Sequence, residues 1–484
     1  MRVIHLCFRL HEPFRLRDLT KADTETELNL EQVFDSKADF QRENERVYQP
    51  FFALLERNLQ KHANLHFTLS VSGPWLTLAS RYDPELIRRL KKLLGGGRVE
   101  LVAEPFYHSL SFFYDQQEFA DQIKLYREKV RALFGVECKF GKQPRDLFNN
   151  EIAATMEMAH FMGALAGGAE RVLKFRSANH IYEVAGCEYL RVLFNNEFLQ
   201  QKLLNDDELL EEQKQPDGTT RLGLSWTKFR RELDLSFLRG GLVNLYFDVQ
   251  IFGEYREKGV VKFFDEMWAE FPKTEGNGFV SVSGAAAFEV PRMEIAVAET
   301  IGSGFVGAEG AKESPSRSAT LARQDTHARP PRELSGELAE RWSRELYAAR
   351  KMIMSGESET LTEIWRRLTE VDYLDGLDKA RLAQLETVLG RLKEQVERTK
   401  KAQVVEIARE MTKKPNMLRI EIVDKQAAPE PAEPLVQMTD EEIPDELQDK
   451  LQELGLEIVE EEQKPAKAKK PKKKRRFMRK LVIE

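Results

Sequence analysis

The stretch Val243-Asn244-Leu245-Tyr246-Phe247-Asp248-Val249-Gln250-Ile251-Phe252-Gly253-Glu254 decides how this chain is read. An apolar run rich in strand-forming residues delivers one carboxylate, Asp248, and Gly253 and Glu254 follow at once. A short apolar run bounded in this way predicts a buried strand of a parallel sheet. An acid at its end points out of the sheet, and in barrel enzymes catalytic acids sit there. The same acid equally suits a helix cap or an ion pair with an arginine, so the segment alone leaves both readings open.

The surrounding pattern repeats the theme. Residues 3–10, 65–71, 99–103, 189–194 and 279–282 are further strand candidates. Asp83-Pro84-Glu85 opens a helix with an N-cap, a proline in its first turn and an acid near the positive end of its dipole. Leu86, Leu90, Leu93 and Leu94 form its apolar face, and Gly95-Gly96-Gly97 ends it. Phe119, Ile123, Tyr126, Val130 and Leu133 have helical spacing, with Gly135 as the stop. Alternation of strands and helices over this length predicts a parallel sheet or barrel. His11, Ser72, Glu104, His108 and Asp248 each follow a strand. On a parallel barrel those ends face the same way, so these residues are expected to converge.

With 484 residues the chain exceeds one typical core, so more than one structural unit is expected. The net charge of −6 supplies no global basic field for nucleic acid. Cys7, Cys138 and Cys187 are scattered without CxxC spacing, which argues against disulfides and a zinc ribbon and for a reducing, cytoplasmic setting. The first residues lack the apolar core of a secretory signal, and no apolar run is long enough to span a bilayer. The expected organisation is a barrel over 1–285, an irregular low-complexity insert over 286–332, a helical region over 333–415, and a largely disordered tail over 416–484. Residues 464–480 are almost uniformly basic. They suit RNA or an acidic partner, although a solvated tail beside the acidic stretch before it is the preferred reading.

Four motifs in order carry a resemblance to a known family. Phe8-Arg9-Leu10-His11-Glu12-Pro13-Phe14 is the first, and Gly97-Arg98-Val99-Glu100-Leu101-Val102-Ala103-Glu104-Pro105-Phe106-Tyr107-His108 the second. Asn149-Asn150-Glu151-Ile152-Ala153, followed by Gly167-Gly168-Ala169-Glu170-Arg171, is the third, and Phe247-Asp248-Val249-Gln250-Ile251-Phe252-Gly253-Glu254-Tyr255 the fourth. Together they resemble glycoside hydrolase family 57, the amylase-like and glucanotransferase group. Ile364-Trp365-Arg366-Arg367 is similar to that family's C-terminal helical region.

The resemblance implies an α/β fold: an incomplete (β/α)7 TIM-like barrel followed by a helical region, with the tail beyond it. It implies retaining cleavage or transfer at α-glucosidic bonds of an α-glucan or maltooligosaccharide; no cofactor and no metal are expected. Retention needs two carboxyl groups about 5–5.5 Å apart, one a nucleophile and one an acid/base. Asp248 occupies the acid/base position. His11, Glu100 and His108 occupy positions expected near the substrate cleft. Trp75 and Trp226 are candidates to stack on sugar faces, against the commoner outcome of a buried core tryptophan.

The chain departs from the family at the nucleophile. An ungapped count places Arg145 in the glutamate slot, and a guanidinium is always charged and cannot attack. Asp146 is the adjacent substitute candidate, but a one-residue slip turns a strand side chain to the other face. The family's fifth region is not recognisable over residues 301–334. A glucan-binding pseudoenzyme of the same fold is therefore an alternative. A metal-dependent polysaccharide deacetylase using His11, His108, Glu100 and Asp248 is another, disfavoured because the histidines lack close ligand spacing on one element.

Overall fold

A computed structural model describes residues 1–17, 27–167, 173, 175–214, 219–254, 259–289, 293–298, 300–301, 336–412, 420–424, 456–461 and 478–483. The strands are β1 Arg2–Leu10, β2 Phe67–Val71, β3 Val99–Val102, β4 Phe140–Lys142, β5 Gly163–Ala166, β6 Ile181–Val184 and β7 Arg191–Phe194. They continue as β8 Leu210–Lys214, β9 Thr220–Leu224, β10 Leu242–Asp248, β11 Asn277–Val280 and β12 Met293–Ile295.

The segment that opened the sequence reading is β10, and it lies parallel to β1 over Val3↔Leu242 to Arg9↔Asp248. From β1 the sheet runs through β2 to β3, and Ala103↔Gly141 carries it on to β4. β5 and β7 follow, all in parallel, so seven strands (β10, β1, β2, β3, β4, β5 and β7) curl around one interior. Closure between β7 and β10 is made without a ladder among the described residues. The Asn196 N–H donates to the Asn244 carbonyl at 2.8 Å, and the Tyr246 hydroxyl donates to the Leu193 carbonyl at 2.8 Å. Antiparallel β6 takes the free edge of β7, which keeps β10 off it. The barrel is thus incomplete at this seam.

Register then fixes what faces inward. Val3 and Cys7 share the interior core with Leu242 and Tyr246. In the same register His5 with Asn244 lies between these two layers, and Arg9 with Asp248 follows them at the C-terminal end. Phe8, on the opposite face, packs into the helix layer against Phe51, Phe67, Phe252, Phe264 and Trp268. The interior therefore becomes polar and charged towards the C-terminal strand ends. Helices form where the sequence pattern placed them. Asp83 caps Pro84–Gly95, and Gly135, in the left-handed region at φ 72°, ends Gln116–Phe134.

The chain forms two compact units. The first comprises Met1–Arg350 with Thr362–Leu389, so much of the helical region joins the barrel's unit, and the boundary expected at 333 divides it. Its attachment is chemical as well as apolar: buried Glu118 accepts hydrogen bonds from Arg350 at 3.1 Å and Arg366 at 3.0 Å. The second unit comprises Lys351–Leu361 and Gly390–Glu484. Within the span read as a largely disordered tail it contains three strands, β13 Ile420–Asp424, β14 Leu456–Glu461 and β15 Met478–Ile483, ordered β13-β15-β14. Most of the basic run 464–480, all of 302–335 and the stretch 168–172 lie outside the described residues. No helix among the described residues is long and apolar enough to cross a membrane.

Candidate functional site

The expected convergence occurs. At the C-terminal end of β1, His11 Nδ1 lies 2.8 Å from the Ser72 hydroxyl, beyond β2. Its ring stacks on that of His108, beyond β3, with centroids 4.1 Å apart. His108 Nδ1 lies 3.0 Å from Glu104 Oε1, and Arg9 connects His108 Nε2, at 3.4 Å, to Asp248. His11, Ser72, Glu104, His108 and Asp248 thus form one connected network.

Asp248 is held by three donors. Arg9 Nε and Nη2 donate to Oδ2 at 2.9 and 2.6 Å, and the Gln250 N–H donates to Oδ1 at 2.9 Å. In every one of these bonds the carboxylate is the acceptor. Burial opposes the charge on Arg9, but Asp248, then Asp372, more than compensate and hold the guanidinium above its ordinary range.

His108 is fully buried at φ 52°, a left-handed conformation that histidine tolerates better than bulkier residues. Burial, then neighbouring His11, pulls its pKa down to about 4, so the ring is neutral at neutral pH. Burial alone would raise Glu104, but His108 and Lys142 hold it down at about 2. An ionised Glu104 can only accept, so His108 carries its proton on Nδ1 and offers a lone pair at Nε2 to Arg9.

The sequence reading missed the other half of the site. The segment Val371–Leu374, a short 3-10 turn, lies against the barrel end through the Val371 N–H, which donates to the His108 carbonyl at 3.0 Å. It brings Asp372 Oδ2 to 2.9 Å from His11 Nε2. Burial would raise Asp372, but His11 and His108 pull it well below the ordinary carboxylate range. Buried Glu370 accepts from the Phe14 N–H at 3.0 Å through Oε2. Its Oε1 has no hydrogen-bond partner and stands 3.7 Å from His11 Nε2. Burial, then Asp372, raises Glu370 well above the usual carboxylate range.

The turn that holds the position expected for the nucleophile is strained and filled. Arg145 and Asp146 both have positive φ, 57° and 52°, in a turn directly after β4. Arg145 pairs with Asp375. Asp146 is buried and pairs with Lys142 Nζ at 2.5 Å. The neighbouring Gln143 amide is 1% exposed and neither of its polar side-chain atoms has a hydrogen-bond partner.

Three expected substrate contacts are placed elsewhere. Trp75 is fully buried, stacked on Phe52 and edge-on to Tyr48, so it is a core residue and not a sugar platform. Trp226 is also buried, among Phe229 and Phe263. Glu100 accepts from the Ser281 hydroxyl at 2.8 Å and the Ser283 N–H at 3.0 Å, and so caps the helix Val282–Ala286. The ligand set expected of a metal-dependent deacetylase is likewise divided. His11 and His108 meet, but Asp248 is tied to Arg9 and Glu100 to the helix cap.

A parallel barrel with acids and histidines gathered at its C-terminal strand ends is the architecture of a barrel enzyme's catalytic domain. The model of glycosyl hydrolase family 57 matches residues 5–298, and the chain belongs to that family. It is 27% identical over 308 residues to a Methanocaldococcus jannaschii protein named as a candidate alpha-amylase, covering 60% of this chain and 61% of that protein. A shorter match, 31% identical over 133 residues, covers 25% of this chain and 20% of an alpha-amylase of Pyrococcus horikoshii. Among solved structures, a family 57 branching enzyme of Thermococcus kodakaraensis aligns with a TM-score of 0.55 at 10% identity, covering 82% of this chain and 90% of that one. An alpha-amylase of Thermotoga maritima aligns with a TM-score of 0.55 at 9% identity, covering 84% and 94%. At these identities the structures share the fold. The chain spans 61% of the first relative's length.

Proposed function

We propose that the chain acts on α-glucans or maltooligosaccharides at the barrel's C-terminal end, as a retaining hydrolase or glucanotransferase with Asp248 as acid/base. The observation that carries this reading is the setting of Asp248. It ends the strand next to β1, keeps 26% of its side chain exposed, and is linked through Arg9 to buried His108 and His11 and to part-buried Asp372. A general acid must carry a proton towards the leaving glycosidic oxygen, and later take one from water or an acceptor sugar. Both oxygens of Asp248 accept here, so protonation requires Arg9 to shift. Asp372 and Asp146 also attract that guanidinium and give it somewhere to go. Asp146 is the candidate second carboxylate, once freed from Lys142.

A second reading, glucan binding without cleavage, is favoured by the slot after β4. There Arg145, which cannot attack, is paired with Asp375, and the one carboxylate, Asp146, is engaged by Lys142. The three cysteines are free, in keeping with the cytoplasmic setting we propose.

The test is product analysis with purified full-length protein and a maltooligosaccharide series, beside calorimetric binding. Turnover that Asp248→Asn abolishes while binding persists supports the first reading. Binding without turnover in the wild type establishes the second. Absence of both rejects the α-glucan assignment.

A further inference from the structure

We propose that His11, His108, Asp372 and Glu370 form a binding site for one first-row transition-metal dication of the zinc type. The inference stands on the geometry of this cluster and is independent of whether the chain cleaves glucan.

One donor atom each of His11, His108 and Asp372 lie within 4.8 Å of one another. Each imidazole has its Nδ1 engaged, His11 with Ser72 and His108 with Glu104, which leaves Nε2 of both rings for the cluster. A carboxylate behind a ligating histidine fixes the tautomer and strengthens the ligand, and Glu104 stands in that position. His11, His108 and Glu370 are buried and Asp372 is part-buried, with 24% of its side chain exposed, so these donors are not the scattered acids of a solvated face.

The independent sign is Glu370. Its side chain is buried, and Oε1 lacks any hydrogen-bond partner while lying 3.7 Å from His11 Nε2. A buried polar atom without a partner calls for a physical explanation, and an ion bound in this cluster supplies one. Two ligands of a tetrahedral zinc ion stand about 3.3 Å apart, given metal–ligand bonds of about 2.0–2.1 Å. The separation from His11 Nε2 to Glu370 Oε1 is close to that value. The separation from His11 Nε2 to Asp372 Oδ2, 2.9 Å, must open slightly. The stacked rings must part by about an ångström from their 4.1 Å centroid spacing. Two imidazoles with two carboxylates suit zinc and its first-row neighbours, and do not suit magnesium or calcium, which prefer all-oxygen sets. Arg9 donates to His108 Nε2 in this structure and must withdraw when metal enters, drawn by its stronger bonds to Asp248.

The experiment uses the full-length chain, free of tags and stripped with a chelator, titrated with Zn²⁺ by calorimetry and with Co²⁺ by visible absorption. The expected result is saturable uptake of one ion per chain, a Co²⁺ d–d spectrum of low coordination number, and a melting temperature that rises with Zn²⁺. Asp372→Asn and His108→Asn are expected to weaken uptake at least tenfold, and Glu104→Gln roughly tenfold through the ligand it supports. Asparagine tolerates the positive φ at 108, so His108→Asn carries the test if Asp372→Asn does not fold. Uptake that is not one-to-one, a melting temperature indifferent to Zn²⁺, or folded variants that bind as the wild type does would each overturn the proposal.

Discussion

The Arg9–Asp248 pair makes the most quantitative demand on the site. Its shortest bond is 2.6 Å, and the two side chains are only 12% and 26% exposed, so water screens them little. Unit charges about 4 Å apart interact by about 4 kcal/mol at an effective dielectric of 20. Part of this is offset by the desolvation of both groups. Asp372 and Asp146 also attract Arg9, so losing Asp248 does not leave the guanidinium without a counter-charge. A double-mutant cycle of Arg9→Gln and Asp248→Asn is therefore expected to give a coupling energy of about 2–3 kcal/mol. Urea unfolding of the four proteins, followed by tryptophan fluorescence, measures it. A coupling below about 0.5 kcal/mol is what an exposed ion pair gives, and would refute a pair locked in the barrel mouth.

Acid should destabilise the barrel in a defined window. His5 is fully buried between Asn244 and Thr68, and burial lowers its pKa from 6.5 to about 4. The unfolded chain takes up the proton first, so His5 contributes stability that is present above pH 6.5 and lost as pH falls towards 4. The loss is about 3 kcal/mol; melting temperatures between pH 7 and 4 should fall, and His5→Asn should flatten that slope. His108 acts in the same direction over the same window, and Glu104 extends the loss from pH 4.5 towards 2. Trp75→Ala should cost about 3–5 kcal/mol of stability in thermal or urea unfolding. Trp75→Phe should leave maltooligosaccharide affinity within about twofold by calorimetry; a larger loss in a folded variant would contradict a core role. Arg145→Glu places a carboxylate in the nucleophile slot, and initial rates on maltooligosaccharides should rise at least tenfold. An unchanged rate would show that this slot does not face the cleft.

Much of this was legible because parallel strands carry their own geometry. Once β1, β2, β3 and β10 are recognised, the residues that follow them must share one end of the barrel. His11, Ser72, Glu104, His108 and Asp248 do so. Arg9 had a signal: a charged residue near the end of a buried strand, beside Phe8 and Leu10. Asp372 had none, because it arrives 361 residues after His11 on a turn without hydrophobic periodicity. Burial was the other blind spot. Trp75 and Trp226 are aromatic by sequence, but only the packing of Phe52, Tyr48, Phe229 and Phe263 around them shows that they belong to the core. The short strands β4, β5 and β6, of three or four residues each, are too brief to show alternation.

The most direct test of the central claim is a crystal structure of the Asp248→Asn protein with a bound maltooligosaccharide. The account predicts a glucosyl unit at the C-terminal end of β1 and β10, with a glycosidic oxygen within hydrogen-bond reach of residue 248 and the ring beside His11 or His108. Ordered sugar elsewhere on the molecule, with that end of the barrel unvisited at saturating ligand, would contradict it.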